Sequence, residues 1–245
     1  MDLGIKLENG IIKTIAYEKP LARRIGVSAM PIVIAKSLEE GLDDLAKTAQ
    51  EEEQEACWLY VHDDSEWYNL ASKPAEEIFG RIAGFEERDL PIVGNKRYID
   101  YHTHPKRCLE QEMKEVLEEK RELHPELNAQ ELEQLKKAIY VYCSLPSSTD
   151  IGNYIRYVHE ERRDNLHFGV VSPGFIAEIE LDAALIRPGY EFRYEGLQLS
   201  LNKEFSREVW AKASALELAQ EYCKKLNAGI PGLSIKIRQH SGVGK

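Results

Sequence analysis

The sequence predicts an α/β fold: a mixed or largely antiparallel sheet flanked by helices, with a helical hairpin inserted into it. Three observations carry this. Short apolar and aromatic runs bounded by turn residues, such as Cys57-Trp-Leu-Tyr-Val-His62 and Arg97-Tyr-Ile-Asp-Tyr101, read as strands. They are interleaved with segments whose apolar residues recur at helical spacing. One stretch, 106–140, is unlike the rest, being rich in Glu and Lys around a narrow apolar stripe.

Residues 1–35 alternate short apolar runs with turn signals. Ile11, Ile12 and Ile15, then Pro31-Ile-Val-Ile-Ala35, read as strand or buried-loop material. Ser37 with Glu40 three residues on is a capping-box pattern that opens a helix. Leu38, Leu42, Leu45 and Ala49 share one face of it. The acidic run from Glu51 to Glu55 closes the helix against the sense of its dipole, a local conflict of the kind that functional positions tolerate. Asp63-Asp64-Ser65 turns the chain, and Lys73-Pro74 and Pro91 to Gly94 are loop punctuation. The strand over 97–101 runs straight into His102-Thr-His104-Pro105.

In the inserted stretch, Leu109, Met113, Val116 and Leu117 stripe one helix, His124-Pro125 breaks it, and Asn128 with Glu131 restarts it. Leu132, Leu135, Ala138 and Ile139 continue the stripe, giving a helical hairpin over about 106–140. Tyr140 to Cys143 reads as a short strand. Ser147 or Ser148 starts a helix through about 164, with Ile151, Ile155 and Val158 on one face. Two strands over 166–171 and 174–181 meet at Ser172-Pro173-Gly174 as a hairpin. A strand or two is expected in 190–201, a C-terminal helix over about 205–226, and a last strand over 233–238. With no repeats and no low-complexity linker, residues 1–245 read as a single domain.

Composition limits the function classes. There are 32 Lys+Arg against 42 Asp+Glu, a net charge of −10, with 43% hydrophobic and 30% charged residues. That is the balance of a globular protein with a real core. The acidic excess and the lack of a basic stripe argue against a nucleic-acid partner. No apolar run approaches the roughly 20 residues of a membrane span. The N-terminus lacks the basic-then-apolar order of a signal peptide. Four cysteines, Cys57, Cys108, Cys143 and Cys223, make neither a disulfide scaffold nor a CxxC site. A reducing, cytoplasmic setting is the expectation.

The chemistry gathers at three places. His102 and His104, one residue apart at a strand end, point to one side and can share a divalent metal. Ser147-Ser-Thr-Asp150 supplies a carboxylate that can be a third ligand; it is also a plain helix-capping pattern, and both can hold. Glu55, between the first helix and the strand after it, can act as a general base that is not a ligand, with Glu53 and Glu66 as alternatives.

Together, Glu55-Ala-Cys57, then His102-Thr-His104-Pro105, then Pro146-Ser147-Ser-Thr-Asp150-Ile151 resemble the JAMM signature of the JAB/MPN domain family of zinc metalloisopeptidases. The resemblance covers roughly residues 30–182 and rests on three motifs in order. It implies a JAB/MPN-like (cytidine-deaminase-like) fold, with one zinc per chain held by His102, His104 and Asp150 and a water in the fourth position. It implies that Glu55 activates that water and then protonates the leaving amine. Ser147 would donate to the oxyanion, a stabilisation of typically about 10² to 10³. The implied substrate is an amide or isopeptide bond, often at the C-terminus of a ubiquitin-like protein. Two features depart from the family pattern. Residues 105–146 separate His104 from Ser147, a far longer stretch than the family has, and the excess matches the helical hairpin. Such an insertion costs little loop entropy and could serve as a lid or a site for a protein partner. Trp58 stands where the family has a small residue, so it either narrows the cleft or packs in the core.

Two other readings were open. A non-catalytic MPN-type scaffold or interaction module shares the fold but normally lacks the metal ligands. Asp100-Tyr-His102-Thr-His104 also fits the Asp-x-His-x-His strand of metal-dependent barrels, but too little chain follows it for the rest of a barrel. Cys57 and Cys143 lie in apolar runs and read as small hydrophobes, not as nucleophiles.

Overall fold

The computed structural model describes residues 2–8, 11–17, 32–35, 37–51, 55–73, 97–123, 128–160, 166–206 and 212–239. The chain divides into two compact units, Met1–Met30 and Pro31–Lys245. In the first, β1 (Asp2–Glu8) and β2 (Ile11–Tyr17) pair antiparallel, from Asp2 opposite Tyr17 to Glu8 opposite Ile11.

The second unit runs β3 (Ile32–Ala35), α1 (Leu38–Glu51), β4 (Glu55–Val61), β5 (Glu66–Lys73), β6 (Tyr98–Thr103), α2 (Lys106–Leu123), α3 (Ala129–Ser144), α4 (Ser148–Glu160), β7 (Leu166–Val171), β8 (Ile176–Leu181), α5 (Tyr190–Phe205), α6 (Ala215–Gly229) and β9 (Leu233–Arg238). Its seven strands lie in the order β3-β5-β4-β6-β7-β8-β9. Only β6 and β7 are parallel; every other neighbouring pair is antiparallel. This is the expected mixed sheet with helices on both faces, and it is open, which removes the barrel reading.

Local chemistry starts α1 and α3 where the sequence indicates. Ser37 Oγ accepts from the Glu40 N–H while Glu40 Oε2 accepts from the Ser37 N–H, so α1 opens on a capping box. Asn128 and Glu131 make the same reciprocal pair at the start of α3. Helices α2 and α3 form the expected hairpin, closed by Leu109, Leu117, Ile139 and Cys143. The break at His124-Pro125, the acidic positions 52–54, the loop punctuation at Pro74 and 91–94, and the end of the helix near 164 lie outside the described residues.

Three expectations are corrected. Tyr140 to Cys143 is the last turn of α3, not a strand, because helical continuation puts Val141 and Leu145 on the same buried face as Ala138. The segment 190–201 is helical: α5 buries Tyr194, Gln198, Leu201 and Phe205 at spacings that only a helix aligns. The helix expected over 205–226 is replaced by the end of α5 and by α6, which starts after Ser214 with a capping box to Glu217. Strand β5 has no counterpart among the sequence expectations beyond the turn at 63–65.

The sheet has two unlike faces. Because side chains alternate along a strand, Trp58, Tyr60, Ile99 and Tyr101 point one way and Leu59, Val61, Tyr98 and His102 the other. The first set packs with Trp67 beneath α1, against Leu42, Leu45 and Ala46. The second set meets α3, α4, α5 and α6 in the larger core. Close packing sets residue size in the first layer. A Cβ on Gly169 would lie 2.2 Å from Tyr101 Cδ1, and one on Gly41 would lie 2.0 Å from Trp67 Cε2, so both positions need glycine for the rings to seat. Among the described residues, no helix is long and apolar enough to cross a membrane.

Candidate metal centre

Strand β6 is the middle strand of the seven, and its C-terminal end carries the site. His102 lies within β6, and the His104 N–H donates to the Val171 carbonyl at 2.9 Å, extending the ladder one step past the strand. The backbone stays extended, so both imidazoles emerge on one side. Their Nε2 atoms are 3.2 Å apart.

Asp150 arrives from the first turn of α4. Its Oδ2 accepts from the Ser147 N–H at 2.7 Å and from Ser147 Oγ at 2.8 Å, while its own N–H donates to Ser147 Oγ at 3.1 Å. This is a capping box with Asp in the place of the usual Glu or Gln. The capping reading of Ser-x-x-Asp holds, and it leaves Asp150 facing the two histidines, where it could also serve as a ligand. Asp150 Oδ1 lies 3.7 Å from His102 Nε2, and Oδ2 lies 3.8 Å from His104 Nε2. The insertion does not pull the α4 start away from the histidines.

His102, His104 and Asp150 form a buried group that can hold a metal ion, with ligand atoms all within 4.8 Å of one another. Bonds of about 2.0–2.1 Å at a tetrahedral angle place ligand atoms about 3.3–3.5 Å apart. The two Nε2 atoms, 3.2 Å apart, are near that spacing, while each faces a different oxygen of Asp150, at 3.7 and 3.8 Å, so the carboxylate must turn to bring one oxygen to a shared ion. One tautomer is set by its partner. His104 Nδ1 lies 3.0 Å from the Cys143 carbonyl, which can only accept, so Nδ1 carries the proton and Nε2 presents its lone pair.

The local field favours a cation. Burial alone would lower the His102 pKa. The Asp150 charge and hydrogen bond, joined by the charges of Glu55 and Asp100, outweigh burial and push it up to about 9. Burial would raise Asp150, but His102, His104 and the Ser147 N–H hold it well below the usual carboxylate range. A proton and a divalent metal compete for the same imidazole lone pair, so what favours one here favours the other.

Glu55 opens β4 and is only 4% exposed. Cys57 pairs directly with His102 across the antiparallel ladder, so Glu55, two residues earlier, shares that face at the end where His104 lies. Its charge reaches His102. Glu66 pairs with Val61 at the far end of β4 and is removed from the site; Glu53 lies outside the described residues. Ser147 is exposed at the rim, with its hydroxyl proton committed to Asp150. Trp58 is on the opposite face, its ring centroid 6.0 Å from that of Trp67, and so packs in the core.

Three contributions were not among the sequence expectations for the site. Cys57 Sγ donates to Asp100 Oδ1 at 3.2 Å beneath the histidines, and burial foremost raises the Asp100 pKa to about 6. The Cys143 carbonyl is a backbone atom, invisible to residue type. Tyr154, whose hydroxyl is 3.0 Å from His102 Nδ1, lies four residues after Asp150 on the same helix face, a spacing that could have found it. No protein-family model matches the chain, and neither does any curated protein or solved structure.

Proposed function

We propose that this chain is a JAB/MPN-like zinc metallopeptidase that hydrolyses an amide or isopeptide bond, with the C-terminus of a ubiquitin-like protein as its substrate class. The observation that carries the reading is the convergence of the three motifs. His102, His104 and Asp150 come within 4.8 Å although residues 105–146 stand between the histidines and Ser147, and Glu55 lies buried beside them.

In this reading His102, His104 and Asp150 hold one divalent metal. When bound, such a metal supplies a Lewis acid that polarises an amide carbonyl and brings a coordinated water towards a pKa of about 7. The Glu55 carboxylate takes the proton from the attacking water and delivers it to the leaving nitrogen. Ser147 turns its hydroxyl from Asp150 towards the developing oxyanion. Helix α3 is committed to the core and to His104, so a partner docking at the insertion would use the outer face of α2.

The test is zinc content. Protein purified without an affinity tag, then chelated and titrated, should take up about one zinc per chain. It should then cleave a ubiquitin-like protein extended through its C-terminal carboxyl. No tight zinc uptake overturns the metallopeptidase reading. Zinc uptake without hydrolysis of peptide or isopeptide bonds favours the scaffold reading.

A further inference from the structure

We propose that Tyr154 is the positioning residue of His102: its hydroxyl holds the Nδ1 side of the ring and so aims Nε2 at His104 and Asp150. This rests on the reading that the centre binds a metal. A histidine that ligates through one ring nitrogen presents the other to a hydrogen-bond partner, which fixes the ring and raises its basicity. For His104 that partner is the Cys143 carbonyl, at 3.0 Å. For His102 it is the Tyr154 hydroxyl, also at 3.0 Å.

The tyrosine is built to stay in place. It is 5% exposed, and its ring stacks on Phe168 of β7 with centroids 3.7 Å apart and planes 18° apart. Phe168 is itself buried in the strand beside β6. The phenol can move neither sideways nor outward without breaking that stack, so its oxygen is a fixed point for the imidazole. Tyr154 and Asp150 stand one helical turn apart on α4. One helix thus delivers both the carboxylate ligand and the group that orients the first histidine.

The two partners differ in kind. A carbonyl only accepts, so it locks His104 in one tautomer. A hydroxyl accepts or donates, so Tyr154 satisfies His102 whichever ring nitrogen carries the proton. With a metal on Nε2 the His102 proton must sit on Nδ1, and Tyr154 is then the acceptor.

Tyr154→Phe keeps the ring and its stack and deletes only the hydroxyl. Zinc affinity by chelator competition should fall about 10- to 100-fold, the usual cost of losing such a partner. The ligand-field bands of the cobalt-loaded protein should shift as well. A purely structural tyrosine would instead lower the melting temperature of the chelated protein and leave zinc affinity and the cobalt spectrum unchanged, which would overturn the proposal. A second measurement needs no variant. In zinc-loaded wild type, the His102 Nδ1 proton should give a slowly exchanging ¹H–¹⁵N signal, and free exchange with water counts against the assignment. Wild-type protein that takes up no zinc removes the metal reading and this proposal with it. Wild type that binds zinc while Tyr154→Phe binds it equally well removes only the role of the hydroxyl.

Discussion

The two faces of β4 and β6 are built from neighbouring residues and do opposite things. Trp58 and Tyr101 point beneath α1 into a close-packed aromatic layer with Trp67, whose ring centroids lie 6.0 and 5.5 Å from theirs. Glu55, Cys57, Asp100 and His102 point the other way and gather buried polar and ionisable groups. Burying charge is costly unless it is paired or bound to a metal. On the site's face the larger core around Leu59, Val61 and Tyr98 surrounds these groups, while the face beneath α1 is a smaller aromatic layer. A one-residue change of register would exchange the two faces, so the dry layer also fixes which residues reach the site.

The largest effect that would break this contrast is at the proposed ligands. His102→Ala should abolish tight zinc binding, read as metal content after dialysis, and take hydrolysis with it. Asp150→Ala should do the same and also loosen the start of α4. If either variant keeps stoichiometric zinc, that residue is not a ligand.

Next is the proposed general base. Glu55→Gln keeps shape and burial but cannot take a proton. Activity should fall by about 10² to 10⁴, the range for losing general acid–base catalysis, with zinc content unchanged. Loss of zinc as well would make Glu55 a ligand, and retained activity would move the base elsewhere.

Much of this was legible because the relevant signals are local. Capping boxes at Ser37, Asn128 and Ser147 mark three helix starts by residue type alone. The His-x-His spacing on a strand dictates a shared side. What was not legible depends on tertiary context. Tyr142 and Tyr194 both sit in aromatic-rich segments with high strand propensity, and both became helical because helix spacing aligned their neighbours with the core. The long stretch 105–146 hid the link between His104 and Asp150 in sequence distance, and the last turn of α3, just past the hairpin expected over 106–140, reaches His104 through the Cys143 carbonyl oxygen.

Ser147 separates capping from catalysis by a smaller margin. As cap acceptor for the Asp150 N–H, its loss to Ala should cost about 0.5–2 kcal/mol of stability, whereas Gly costs only a few tenths at such a position. An oxyanion donor is lost equally in both variants, with about 10² to 10³ in kcat. Ser147→Gly should thus be nearly as stable as wild type and nearly as inactive as Ser147→Ala. Activity that tracks melting temperature across the pair would leave Ser147 as a cap alone.

The smallest effect is the sharpest test of the two-face contrast. Trp58 is next to Cys57 in sequence and three residues from Glu55, yet its ring lies across the sheet from both. Trp58→Phe removes part of a buried ring from the layer beneath α1, and large-to-small changes there leave a cavity that the close packing only partly refills. Thermal stability should fall by a few degrees. Zinc affinity and kcat/KM of the folded protein should not move, because no atom of the indole faces the centre. A change in zinc affinity larger than the stability loss explains would mean that the sheet transmits packing strain to the histidines. Face alternation alone would then not insulate chemistry from core.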